Sequence, residues 1–186
     1  MDAFTLQEQL DDVRVRLLEA LAPLPDEALL EENTIGEWSV ADVLSHLVNW
    51  EAELVTALHK LDQGNSPAAL LRATEDRDAF NALHHTEMKG RDLDRIFDDL
   101  QGVRSKLEGW IEDFAERGLE DPKRYPALKG MPLWKLIAEN SFMHEAQHIK
   151  AVEAFSEQWA LAHDDMDTTN TIDIDEIEVH DNGDPR

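Results

Sequence analysis

The chain has 186 residues and a formal net charge of −24, from 41 acidic against 17 basic side chains. So acidic a protein with no basic cluster argues against nucleic acid and anionic membranes as partners, and the absence of cysteine excludes disulfides, thiolate metal ligands and a cysteine nucleophile. No apolar run approaches the roughly 20 residues of a membrane span, and the acidic start Met1-Asp2 is unlike a secretory signal, so a cytoplasmic location is expected.

The predicted elements are all helical. Leu6, Leu10, Val13, Leu17 and Leu21 mark a first helix over about Thr5 to Leu21, stopped by Pro23 and Pro25. Pro25-Asp26-Glu27 opens a short turn, and Ser39-Val40-Ala41-Asp42 reads as a capping box starting a second helix that runs to about Lys60. Its apolar arc contains Glu51, with His46 and Trp50 along one edge. Ser66 as cap and Pro67 at the first helical position predict a short piece from Ala68 to about Thr74. A long third pattern covers about Arg77 to Arg117, with Gly90 and Gly102 as points of bending. After a loop over residues 118–130, Pro132 opens the fourth helix.

The fourth helix carries His144 and His148. A spacing of four stacks both imidazoles on one face, and at about 100° per residue they share an arc with Leu133, Ile137, Ala151 and Phe155. Two imidazoles in a core stripe need hydrogen-bond partners or a shared cation. Two readings stand: core histidines satisfied by neighbours and water, or a metal site, for which His46 on the facing second helix is the natural third ligand. Glu51, about one turn beyond His46, is a candidate base or a partner for a ligating imidazole; Asn140 and Gln147 are further candidates for such outer support. His84 and His85, being adjacent, diverge by about 100°, cannot easily serve one site, and read as taking a solvated or edge position. Trp38 and Trp134 read as packing anchors near the mouth of the bundle.

Four amphipathic helices with no alternating strand pattern predict an all-α four-helix bundle over residues 1–160. Residues 161–186 form an acidic tail; from His163 onward it has nine acidic residues against one arginine, a composition that predicts disorder. Within it, Ile172-Asp173-Ile174-Asp175 is the only period-two signal. Ala138, Phe142 and Ile149 lie on a second apolar face of the fourth helix, which predicts a homodimer.

The stretch Gly36-Glu37-Trp38-Ser39-Val40-Ala41-Asp42-Val43-Leu44-Ser45-His46-Leu47-Val48-Asn49-Trp50-Glu51, followed about a hundred residues later by His144 and His148, resembles the DinB/YfiT-like superfamily, near the mycothiol-dependent maleylpyruvate isomerases and the ClbS/DfsB-type proteins. The resemblance spans roughly Thr5 to Trp159. It implies a four-helix bundle, often homodimeric, holding a divalent metal such as zinc or nickel through His46, His144 and His148. It also implies one of two functions: a metal-dependent enzyme that activates a low-molecular-weight thiol or water as a transferase, isomerase or hydrolase, with Glu51 as a base, or a non-catalytic protein that sequesters a small molecule. In either case the partner is a small molecule. Because ligands must be unprotonated, metal binding is expected to weaken near the ordinary histidine pKa of about 6.5.

Overall fold

The structure is a computed structural model describing residues 1–167. In chain order the helices are α1 (Ala3–Leu21), α2 (Asp26–Leu30), α3 (Val40–Asp62), α4 (Ala68–Glu75), α5 (Arg77–Met88), α6 (Leu93–Ala115), α7 (Leu133–Glu139) and α8 (Phe142–Asp167), with one 3₁₀ turn at Pro126–Leu128. No strand occurs among the described residues, and α1, α3, α6 and α8 make the expected all-α bundle. The expected tail begins inside α8, which runs to Asp167; its remainder, including the Ile172–Asp175 alternation and the expected disorder, lies outside the described residues.

Local chemistry sets the helix starts. Asp2 accepts a hydrogen bond from the Thr5 amide at 2.8 Å and caps α1. The capping box of α3 is reciprocal: Ser39 Oγ accepts from the Asp42 amide at 3.0 Å, and Asp42 Oδ2 accepts from the Ser39 amide at 2.9 Å. At α4, by contrast, Pro67 is the N-cap and no side chain caps the helix, so Ser66 does not serve as expected.

Two predicted helices are broken. The 77–117 pattern is two helices, because Gly90 takes φ 75°, a left-handed conformation that ends a helix, and Asp92 then caps α6 by accepting from the Arg95 amide. Gly102 lies inside α6. The predicted fourth helix breaks at Asn140 and Ser141, whose side chains donate to the carbonyls of Leu136 at 2.8 Å and Ile137 at 2.6 Å and so compete with the backbone ladder. The break shifts the buried face. Ala151 is exposed, and Ile149 and Val152 carry the core of α8. Ala138, Phe142 and Ile149, the residues on which a homodimer was expected, are all buried within the chain and supply no dimer face.

The core divides into two apolar clusters. One gathers Leu6 and Leu10 with Trp50, Leu54, Leu58, Leu107, Ile111 and α7; the other gathers Leu17 and Leu21 with Val40, Leu44, Ile96, Leu100, Ile149 and Val152. Chain position rises from the first cluster to the second along α1 and across α7 to α8, and falls along α3 and α6. Helices α1 and α8 are therefore parallel to each other and antiparallel to α3 and α6. Between the clusters, one turn from each helix contributes a buried or nearly buried charge: Arg14, Glu51, Arg104 and Glu145.

Candidate metal centre

His46 lies in the second turn of α3, and α8 starts at the Asn140–Ser141 break, with the His144 amide bonded to the Ser141 carbonyl at 3.0 Å. The pair therefore occupies the opening turns of α8, facing α3. His46 Nε2 stands 3.0 Å from His144 Nε2, which stands 3.2 Å from His148 Nε2. The ligand atoms of all three lie within 4.8 Å of one another. His46 and His144 are buried, His148 is half-buried, and Trp50 closes the inner side, its ring 5.6 Å from that of His144.

This arrangement fits a cation better than it fits a hydrogen-bond cluster. A neutral imidazole nitrogen is either one donor or one acceptor, so His144 Nε2 cannot satisfy two ring nitrogens with good geometry. Three lone pairs turned toward one another repel unless a positive charge sits among them. At zinc–nitrogen distances of about 2.0–2.1 Å, tetrahedral donors lie about 3.3 Å apart, close to the separations seen. The electrostatics agree: burial, with repulsion from His148 and in the case of His46 also from His144, lowers the pKa of both His46 and His144 to about 3, and burial lowers that of His148. The ring nitrogens are thus neutral and free to ligate at neutral pH. The three predicted ligands converge.

Glu51, expected beside the metal, is turned the other way. Arg104 Nη2 donates to Glu51 Oε1 at 2.5 Å and to Glu145 Oε2 at 2.5 Å, Arg104 Nε donates to Glu51 Oε1 at 3.1 Å, and Arg14 donates to both oxygens of Glu145 at 2.9 and 3.1 Å. Burial pushes the Glu51 carboxyl up, against the pull of Arg104 and Arg14. Burial alone would lower Arg104, and the two carboxylates outweigh it, so its pKa rises. Guanidinium is a donor-only group that needs acceptor oxygens, and the layer is held as two ion pairs with no net charge. It cross-links all four bundle helices directly behind the histidines, since Glu145 follows His144. Asn140 is buried but donates to Leu136, with Oδ1 lacking a hydrogen-bond partner, and Gln147 is exposed.

Outside the histidines, α3 and α5 enclose a cleft lined by Trp38, His46, Phe80, His84, His85 and Met88, among others, whose free volume of about 10 Å³ holds about one water. Trp38, expected as a packing anchor, stands between His46 and α5: its ring lies 5.0 Å from that of His46 and stacks on that of His85 at 5.4 Å. Phe80 packs on Trp50 at 4.5 Å, and Trp50 Nε1 donates to Asn81 Oδ1 at 3.0 Å. His84 and His85 do diverge, but both line this cleft rather than standing in solvent. Sequence reasoning missed α5 as a wall of the site because none of its residues is fully buried; the run of Phe80, His84, His85 and Met88 was the available signal.

Among the described residues no helix is long and apolar enough to cross a membrane. A comparison with functionally curated proteins gives no match. Among solved structures, the chain is similar to an uncharacterised protein from Escherichia coli UTI89, at TM-score 0.71 and 17% identity, over 88% of this chain and 95% of that one. At that identity the likeness concerns the fold alone. Residues 9–152 match the family model of the DinB superfamily, a span that runs from within α1 into α8 and includes all three histidines, and the chain belongs to that superfamily.

Proposed function

We propose that the protein is a metal-dependent enzyme in which His46, His144 and His148 hold one divalent ion, zinc or nickel, beside which a small-molecule thiol or water becomes the nucleophile of a transferase, isomerase or hydrolase reaction. The observation that carries this reading is the approach of three neutral imidazoles, two buried and one half-buried, to 3.0 and 3.2 Å between ring nitrogens, from two helices that meet only through the fold. When bound, the ion would lower the pKa of that water or thiol and favour its anion. The chain's own residues do the rest. Three neutral imidazoles leave the charge of a dication uncompensated, and so reserve the open position for an anion. Trp38, Phe80 and Met88 give the cleft an apolar wall that excludes bulk water.

We assign Glu51 a positioning role, because its oxygens already accept from Arg104; the clamp fixes the rotation of α3 and α8 that aims the imidazoles. A reducing cytoplasm, where low-molecular-weight thiols are plentiful, suits a chain with no cysteine of its own. The homodimer rests on the family resemblance alone. Sequestration of a small molecule, the alternative, would use the same cleft, which holds about one water as it stands; turnover separates the two readings.

The test uses cobalt- or nickel-loaded protein and 2-mercaptoethanol. A thiolate at the site gives a sulfur-to-metal charge-transfer band, expected in the wild type and abolished in His46→Ala. No band together with metal-dependent ester or amide hydrolysis would select the hydrolase branch. Loss of both would contradict the enzyme reading.

A further inference from the structure

We propose that Asp42 and His85 form a carboxylate–imidazole pair that accepts the proton of a neutral protic group, a thiol or a water, entering the cleft beside the three histidines. With Glu51 bound to Arg104, the reaction outlined above lacks a proton acceptor among the residues flanking the histidines. The cleft supplies one on its opposite wall. Asp42 has already been placed as the capping residue of α3, but that duty occupies a single oxygen: Oδ2 accepts from the Ser39 amide at 2.9 Å and from Ser39 Oγ at 2.8 Å. The other oxygen, Oδ1, faces His85 Nε2 at 3.6 Å.

His85 Nε2 is itself buried and without a hydrogen-bond partner. A buried imidazole nitrogen aimed at a carboxylate oxygen meets an acceptor and nothing else, which sets Nε2 as the N–H and leaves Nδ1 as the basic nitrogen. The separation is too long for a hydrogen bond, and catalytic pairs often tighten only when a ligand arrives. Stacking on Trp38, at an interplanar angle of 7°, holds the imidazole plane, and the same indole touches His46. His85 thus stands one aromatic ring away from a metal ligand. His84, its neighbour in sequence, turns Nδ1 toward Glu87 on the outer side, at 3.2 Å, and is not equivalent.

The step is a simple proton transfer. The S–H or O–H bond of the incoming group breaks heterolytically, its electron pair stays on sulfur or oxygen, and the proton goes to Nδ1. The imidazolium so formed faces Asp42 Oδ1 across Nε2–H. The proton returns to the product, so no further reactant is required. His85 is the group that meets the substrate, and Asp42 is a positioning residue acting through it. What enters the cleft rests on the proposed function; the pair does not.

Two measurements test the proposal separately from the metal reading. In metal-free protein near pH 8, long-range ¹H–¹⁵N spectra should show His85 as the Nε2–H tautomer, and Asp42→Asn, which can still cap α3, should redistribute it. A mixture of tautomers indifferent to Asp42→Asn would overturn the pair, whether or not metal binds. In zinc-loaded protein near pH 8, 2-mercaptoethanol should bind at least about tenfold more slowly to His85→Phe, which keeps the stacking and removes the base, than to the wild type at equal zinc content. Equal rates in both would overturn the role of His85 as acceptor. Failure of zinc or thiol to bind would contradict the metal reading and leave the tautomer spectra to decide the pair.

Discussion

Arg104 joins two carboxylates from different helices, and its removal leaves Glu51 and Glu145 buried with only Arg14 between them. Arg104→Ala is expected to destabilise the fold by about 3–5 kcal/mol, because breaking a buried pair strands a charge. Urea denaturation measures this, and a loss well under 1 kcal/mol would show that water reaches the layer. The histidines make a second residue-scale prediction. Unfolded imidazoles bind protons below about pH 6.5, whereas His46 and His144 in the fold resist protonation down to about 3. Between those limits the unfolded state holds more protons, so the stability of metal-free protein falls as pH drops, by up to about 1.4 kcal/mol per pH unit for each histidine. His144→Gln should fall less steeply between pH 6.5 and 5; parallel slopes would contradict the lowered pKa. The same shift moves proton competition for the metal below the pH of about 6.5 expected from an ordinary histidine.

At this scale the sequence carried the three histidines that converge and missed their surroundings. A spacing of four on a helix is a local fact, and a third histidine on a facing helix follows from bundle geometry. The partner of Glu51 does not, since Arg104 is one of many charges on α6 and nothing local marks it for burial. The place of His85 in the cleft was hidden for a related reason: its neighbours Trp38 and Asp42 come from distant parts of the chain, the loop before α3 and its first turn.

Among the elements, α5 is held differently from the bundle helices. It has no fully buried side chain, it runs out into Gly90's left-handed turn at its C-terminal end, and it meets the body chiefly through Trp38 and Trp50. The cleft beside His46 has room for a substrate larger than water only if α5 moves. Hydrogen exchange should therefore be at least about a hundredfold faster for amides of α5 than for residues 50–58 of α3, as expected of a segment that opens without global unfolding; equal protection would mean that the cleft stays shut. The two helix breaks that create this arrangement had signals of unequal strength. Gly90 was visible as a bend. Asn140 and Ser141 lay inside a convincing apolar repeat, and only their hydrogen bonds back to α7 show that the repeat changes phase there.

At the scale of the molecule, two apolar clusters sandwich a layer of paired charge, and the histidines sit at the edge of that layer where α3 meets α8. The bundle itself was legible because four helical stripes have few other ways to be buried. Its charged layer was not, because pairing across helices leaves no periodic trace. The central claim is that this fold brings three imidazoles together to hold one ion. Metal analysis of untagged protein, incubated with zinc or nickel and freed of excess by gel filtration, tests it most directly. About one ion per chain is expected for the wild type, and almost none for His144→Ala with its helical circular dichroism intact. A wild-type chain that emerges empty of either metal would contradict the claim and leave the three histidines as one another's only partners.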